Sequence, residues 1–298
     1  MPEQKNYHLK CTGAALDTVN KHTEDQDITL FGSCFCPFVQ RVWCAAEYLQ
    51  IPYKPSCFAA ANLTTYTDEV DPYKKPADLL EVSPKGLVPG LKLHKYTPPR
   101  GLNESTVILE YMEDLAANTT KRSLLPADPY ARALVRLQCD HISRSLVPAF
   151  YRFLQAQEES AQIENGKEFR AAIESLVALF ERTEKEIVQG GGAAGVGEQR
   201  ALGVGLGLWL EGGDLNLTDA MVAPWIFRAS NVLKHYRAFE LPTGPKFEAW
   251  IDRLFAHPAF KATCSTEELY IDSYERYAQN RPNTSQVANA INSGKPLP

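Results

Sequence analysis

Apolar residues follow one spacing near the start of this chain and another after its middle. A short run, Ile28 to Phe31, leads through Gly-Ser-Cys-Phe-Cys into PFVQRVWCAAEYL, whose apolar residues recur at helical spacing. The pattern predicts a strand over 28–31, a helix over 37–49 and an extended stretch in the IPYKPSCF that follows, a strand-helix-strand unit of the kind that pairs in parallel. Leu87 to Leu93 reads as another strand after the turn-forming Ser83-Pro84-Lys85-Gly86. Pro89 inside it requires an edge position or a special local geometry. Asn103-Glu104-Ser105 opens a helix expected to turn Val107, Ile108, Tyr111, Met112 and Leu115 to one face.

After the polar AANTTKRS and Leu124-Leu125-Pro126, no strand pattern returns, so the second half is expected to be all helix. Asp128 caps and Pro129 starts a long helix with Leu134, Leu137, Ile142, Leu146 and Phe150 inward, kinked by Pro148. A second long helix is expected over 167–188, and others over 245–256 and 266–277. Asn216-Leu217-Thr218-Asp219 has the form of a capping box in front of AMVAPWIF. Between them, Gly190 to Gly207 holds eight of the eighteen glycines without an apolar period and reads as a flexible surface insertion. It lacks the lysine and serine of a phosphate loop. The domains expected are 26–117 and 126–280, with a polar arm over 1–25 and an extended tail over 281–298.

Composition narrows the classes. With 298 residues, 44% of them apolar, the chain can build two ordinary cores. A net charge of −5 without a basic block gives no footprint for nucleic acid or an anionic membrane, so small molecules are the expected partners. The start has no signal-peptide core and no run suits a membrane span, which implies a cytoplasmic address. Seven scattered cysteines without metal-ligand or disulfide spacing suit a reducing compartment, and no metal site is expected.

One cysteine stands apart. Pro37 at the first helical position puts Cys36 at or beside the N-cap, where backbone N–H groups and the helix dipole favour a thiolate, with a pKa of ~3.5 to ~7.5 instead of ~8.5. The plain alternative is a half-buried structural thiol. Val39 stands where a resolving cysteine would, so Cys36 closes no Cys-x-x-Cys disulfide and a substrate thiol must resolve any adduct. Cys34 reads as packing, because a bridge across so small a ring is strained.

Cys36-Pro37-Phe38, Gly86-Leu87-Val88-Pro89, Glu104-Ser105 and the helical second half, in that order, resemble the cytosolic glutathione transferases, closest to a fungal branch of the omega-like, cysteine-type class. The resemblance covers about residues 26–280. It implies a thioredoxin-like first domain that binds glutathione as co-substrate, and a helical second domain that walls an acceptor pocket for small hydrophobic or glutathionylated molecules. On it, Cys36 is the catalytic thiol with Phe38 beside it, and Lys75 pairs with the glycyl carboxylate. Val88, before a cis Pro89, bonds the cysteinyl part, and Glu104 and Ser105 hold the γ-glutamyl end. Arg228 and Trp250 match acceptor-pocket positions, and a homodimer is implied. Read without the resemblance, Lys75 is a solvated charge, Glu104 a first-turn helix charge, and Arg228 and Trp250 a surface arginine and a core aromatic.

The activity implied is that of a glutathione-dependent thiol transferase or reductase, in which Cys36 forms a mixed disulfide with glutathione that free glutathione resolves. Mixed disulfides, glutathionyl-ketones and dehydroascorbate are the substrate classes. The rival reading is a ligand carrier or regulator on the same fold, without turnover. The chloride intracellular channel proteins share the Cys-Pro-Phe step, but RVWCAAEYL is too short and polar to span a bilayer.

Overall fold

Strands β1 (Ile28–Phe31), β2 (Lys54–Ser56), β3 (Gly90–Leu93) and β4 (Arg100–Asn103) form a four-stranded mixed sheet in the order β2-β1-β3-β4. The computed structural model describes residues 8, 10–56, 77–189 and 205–298. β2 runs parallel to β1, with Phe31 opposite Ser56, as the strand-helix-strand pattern requires. β3 is antiparallel to β1 and β4 to β3, so Phe31 also faces Gly90, and Gly90 faces Asn103. Three segments therefore leave the sheet at one end: the chain after Phe31, the chain before Gly90 and the chain after Asn103.

Helix α2 (Pro37–Leu49) crosses between the parallel strands and buries Val39, Val42, Trp43, Cys44, Ala45, Ala46 and Leu49. Each large apolar side chain so covered contributes about 1.5–3 kcal/mol. The helix stops at Gln50, whose left-handed backbone lets the Ile51 N–H reach back to the Ala46 carbonyl at 3.1 Å. After the short α3 (Ala77–Val82), helix α4 (Ser105–Asn118) packs along α2. Its buried face is Ile108, Leu109, Met112 and Ala116, whereas Val107, expected inward, is 50% exposed.

The polar arm is partly helical. α1 (Gly13–Lys21) buries Ala15, Thr18 and Val19, and Thr18 Oγ1 donates to the Ala262 carbonyl at 2.7 Å. That contact belongs to the first of two compact units, Met1–Arg122 with Pro258–Ser273. The segment 258–273, expected in the second domain, thus groups with the first. Gln40 on α2 holds it, its Nε2 donating to the Thr263 carbonyl at 3.2 Å.

The second unit, Ser123–His257 with Tyr274–Pro298, is helical. α5 (Pro129–His141) starts at Asp128, which accepts from the Ala131 N–H. Leu137, expected inward, is exposed, and Val135 takes a buried place instead. The break expected at Pro148 is a π-helical turn, Ile142–Leu146, just ahead of α6 (Val147–Gln155). α7 (Glu159–Thr183) begins eight residues earlier than its apolar pattern suggests. The tail is not extended throughout: Ser285 caps a helix, Gln286–Asn292, and Gln155 Nε2 donates to Asn292 Oδ1 at 2.8 Å. Most of the glycine-rich insertion, 190–204, lies outside the described residues.

Candidate active site

At the end of the sheet where the three segments leave, Cys36 is the N-cap of α2 with an extended backbone, and Pro37 occupies the first turn. The cap side chain accepts no bond from the helix start. Its sulfur is half-buried and lies 3.9 Å from the Val88 carbonyl oxygen. Val88-Pro89 is cis, and β3 begins only after it, which removes the conflict of a proline within a strand. Gly90 keeps this turn close to its neighbours, since a Cβ there would stand 3.0 Å from Val82 Cγ2.

Glu104 joins β4 to α4 at φ 70°, a left-handed backbone that costs a residue with a side chain ~1–3 kcal/mol. The carboxylate is exposed, and Ser105 behind it is buried as the first residue of α4. Ser105 Oγ accepts from Arg41 Nη1 at 3.3 Å. Arg41 is 2% exposed, with its guanidinium 5.3 Å from the Phe38 ring, so one cation ties α2 to the start of α4. Sequence reading passed over Arg41; an arginine on the apolar side of α2 was the available signal, because such a residue is seldom buried without a role. A thiol at a helix start is a nucleophile in waiting, and the exposed carboxylate beside a second helix start can receive an ammonium next to a carboxylate.

Cys36, Phe38, Val88, Pro89, Glu104 and Ser105 are therefore brought to one end of the sheet. Lys75 lies outside the described residues. Cys34 is buried, its sulfur directed at the His8 carbonyl at 3.4 Å. Arg228 and Trp250 stand elsewhere, inside the second unit. Trp250 is 0% exposed, donates to Asp219 Oδ1 at 3.1 Å and packs on Phe180, Trp209 and Phe247. Arg228 is also fully buried and donates to the Pro224 carbonyl at 2.9 Å. Neither offers surface to a ligand, which corrects the acceptor-pocket expectation in favour of a place in the core. Among the described residues no group of side chains forms a metal site and no helix is long and apolar enough to cross a membrane.

A thioredoxin-like sheet with a cysteine at the start of its first crossover helix, followed by an all-helical unit, defines the class. The family model "Glutathione S-transferase, N-terminal domain" matches residues 35–115. The crystal structure of glutathione transferase Omega 3C from Trametes versicolor is 32% identical, covers 91% of this chain and 98% of that one, and superposes with a TM-score of 0.66. Two relatives are similar over most of their length. The pyrimidodiazepine synthase of Drosophila melanogaster is 25% identical over 87% of this chain and 90% of its own. The probable glutathione transferase omega-2 of Caenorhabditis elegans is 24% identical over 86% and 88%. The chain belongs to the glutathione transferase family.

Proposed function

We propose that this chain is an omega-like, cysteine-type glutathione transferase that works as a thiol transferase and reductase. The observation that carries the reading is Cys36 at the N-cap of α2, its sulfur turned to the cis Val88-Pro89 segment. The Cys36 thiolate attacks the glutathione sulfur of a mixed disulfide; the Cys36–SG bond forms, the old S–S bond breaks, and the partner leaves as a thiolate. Free glutathione thiolate then attacks Cys36–SG, releasing oxidised glutathione and restoring Cys36. With a glutathionyl-ketone the same attack expels a carbanion stabilised by the carbonyl, which takes a proton from solvent. Val39 in place of a second cysteine leaves resolution to glutathione.

In this reading residues 26–117 bind glutathione. Lys75 and the start of α4 meet its carboxylates, Glu104 its ammonium, and the Val88 backbone its cysteinyl unit. A cytoplasmic homodimer completes the proposal, and light scattering that shows only a ~33 kDa species on dilution would remove the dimer. The deciding experiment is intact mass after incubation with oxidised glutathione: one glutathionyl adduct mapping to Cys36 is expected. A protein that stays unmodified, or is modified elsewhere, contradicts the mechanism.

A further inference from the structure

Arg41 lies on α2, 2% exposed, and donates through Nη1 to Ser105 Oγ at 3.3 Å, while its guanidinium stands 5.3 Å from the Phe38 ring. Phe38 and Arg41 are i and i+3 on one helix, so the half-buried ring and the cation share a face. Stability alone is a weak reason for such a charge, because well-packed apolar residues of like volume hold a core as well or better.

The hydrogen bond between Arg41 and Ser105 has one possible direction. A guanidinium carries five N–H donors and no acceptor, so Ser105 Oγ accepts from it and the hydroxyl hydrogen is left to donate elsewhere. The charged donor polarises the hydroxyl and makes its O–H the stronger donor, in a setting that water screens little. Ser105 is also the first residue of α4, where the N–H groups of the opening turn lack intrahelical partners and the dipole favours negative charge. Glu104, one residue back, is exposed and suits the opposite sign. Hydroxyl, helix start and glutamate together match a group that bears a carboxylate and an ammonium on one carbon.

On the reading of Glu104 and Ser105 as the γ-glutamyl site, on which this rests, we propose that Arg41 is a positioning residue that makes the site selective for the α-carboxylate over an uncharged group of the same shape. Arg41 is too buried to meet the ligand and acts through Ser105, fixing its hydroxyl as a donor. A carboxylate takes that hydrogen with either oxygen; a carboxamide has no charge to offer and turns an NH₂ group toward donors at one of its two positions.

The test is calorimetry on the reduced full chain, comparing glutathione with an analogue whose γ-glutamyl α-carboxylate is a carboxamide. Wild type is expected to bind glutathione at least about tenfold more tightly than the amide, the scale of one charge-assisted bond. Arg41→Met should lose most of this preference, and Arg41→Lys, which keeps the charge without the planar fork, should retain part of it. Ser105→Ala should lose the preference too, and in that background neither Arg41 variant should change it further. A fold that is merely loosened weakens both ligands alike and leaves their ratio unchanged. Should Arg41→Met fail to fold, Arg41→Lys with and without Ser105→Ala closes the same cycle. A wild type indifferent to the amide, an unchanged ratio in the folded Arg41 variants, or Arg41 and Ser105 effects that simply add each overturn the proposal. If Ser105→Ala binds both ligands as wild type does, the γ-glutamyl reading of Ser105 falls and the proposal with it; if Ser105→Ala loses the preference while the Arg41 variants keep it, only the role of Arg41 falls.

Discussion

Two helix starts in this molecule obey the same rule to opposite ends. Helix Leu217–Arg228 is capped by Asn216, whose side chain accepts from the Asp219 N–H at 2.9 Å while Asp219 Oδ2 accepts from the Asn216 N–H at 3.2 Å. Asp219 Oδ2 also accepts from the Leu208 N–H at 2.8 Å and Oδ1 from Trp250, so a fully buried carboxylate gathers three donors. α2 is capped instead by Cys36, half-buried and without a side-chain capping bond. The first start is closed by its own side chains and serves stability. The second leaves its cap thiol without a side-chain bond to the helix start. What separates them is the cap residue: an Asn or Asp oxygen is a strong acceptor for the helix N–H groups, and a thiol is a poor one.

That contrast can be broken in order of effect. Cys36→Ser should leave folding unchanged and lower thiol-transfer turnover by ~10³ or more, because a serine hydroxyl is not ionised near neutrality; steady-state assay with a glutathione mixed disulfide reads this. Asp219→Ala should do the reverse. Three buried donors lose their acceptor at ~1–3 kcal/mol each, so denaturant unfolding should show a loss of at least ~3 kcal/mol, while Cys36 in the surviving folded protein still takes up glutathione. Glu104→Gly sits between. It relieves the left-handed backbone, so stability should hold or rise by up to ~1 kcal/mol, while KM for glutathione rises about tenfold through loss of the ammonium contact. A variant that loses stability and keeps its KM would make Glu104 a purely structural residue.

A smaller effect concerns pH. Burial pushes the Asp219 carboxyl up to about 6, against the Leu208, Trp250 and Asn216 donors that favour its ionised form. An unfolded aspartate titrates near ~3.9, so the native state holds the extra proton between about pH 4 and 6. Stability from this group therefore falls as pH rises through that window and is level above it. Unfolding of wild type and Asp219→Asn, compared from pH 4 to 7, should show their stability difference narrowing as pH rises; a constant difference would contradict the raised value.

How much of this was legible in the sequence follows from where local rules governed. β1 and α2 match to the residue, because an apolar run, Pro37 and the left-handed stop at Gln50 all act locally. The capping box at Asn216 is likewise a short-range signal. β4, RGLN, carries no strand signal: its Gly101 is needed because a Cβ would meet Val82 Cα at 2.6 Å, a close approach that leaves no strand-like pattern. Gln286–Asn292 is helical because Gln155, distant in sequence, holds it. The site was half legible. Pro37 marks Cys36 as a helix cap by a local rule, but the position of Trp250 inside the second unit is set by Asp219 and three aromatic neighbours that no motif records.

The central claim is that the start of α2 activates Cys36, and the rate of iodoacetamide alkylation against pH tests it most directly, measured separately on Cys36→Ser and Cys34→Ser. The account predicts a fast phase that plateaus well below the ~8.5 midpoint of a free cysteine, survives loss of Cys34 and vanishes with Cys36. Cys11 and Cys44, both buried, should react only on unfolding, and burial also pushes the Cys11 thiol up. A fast low-pH phase that persists without Cys36 and disappears with Cys34 would place the nucleophile on the other cysteine and contradict the account.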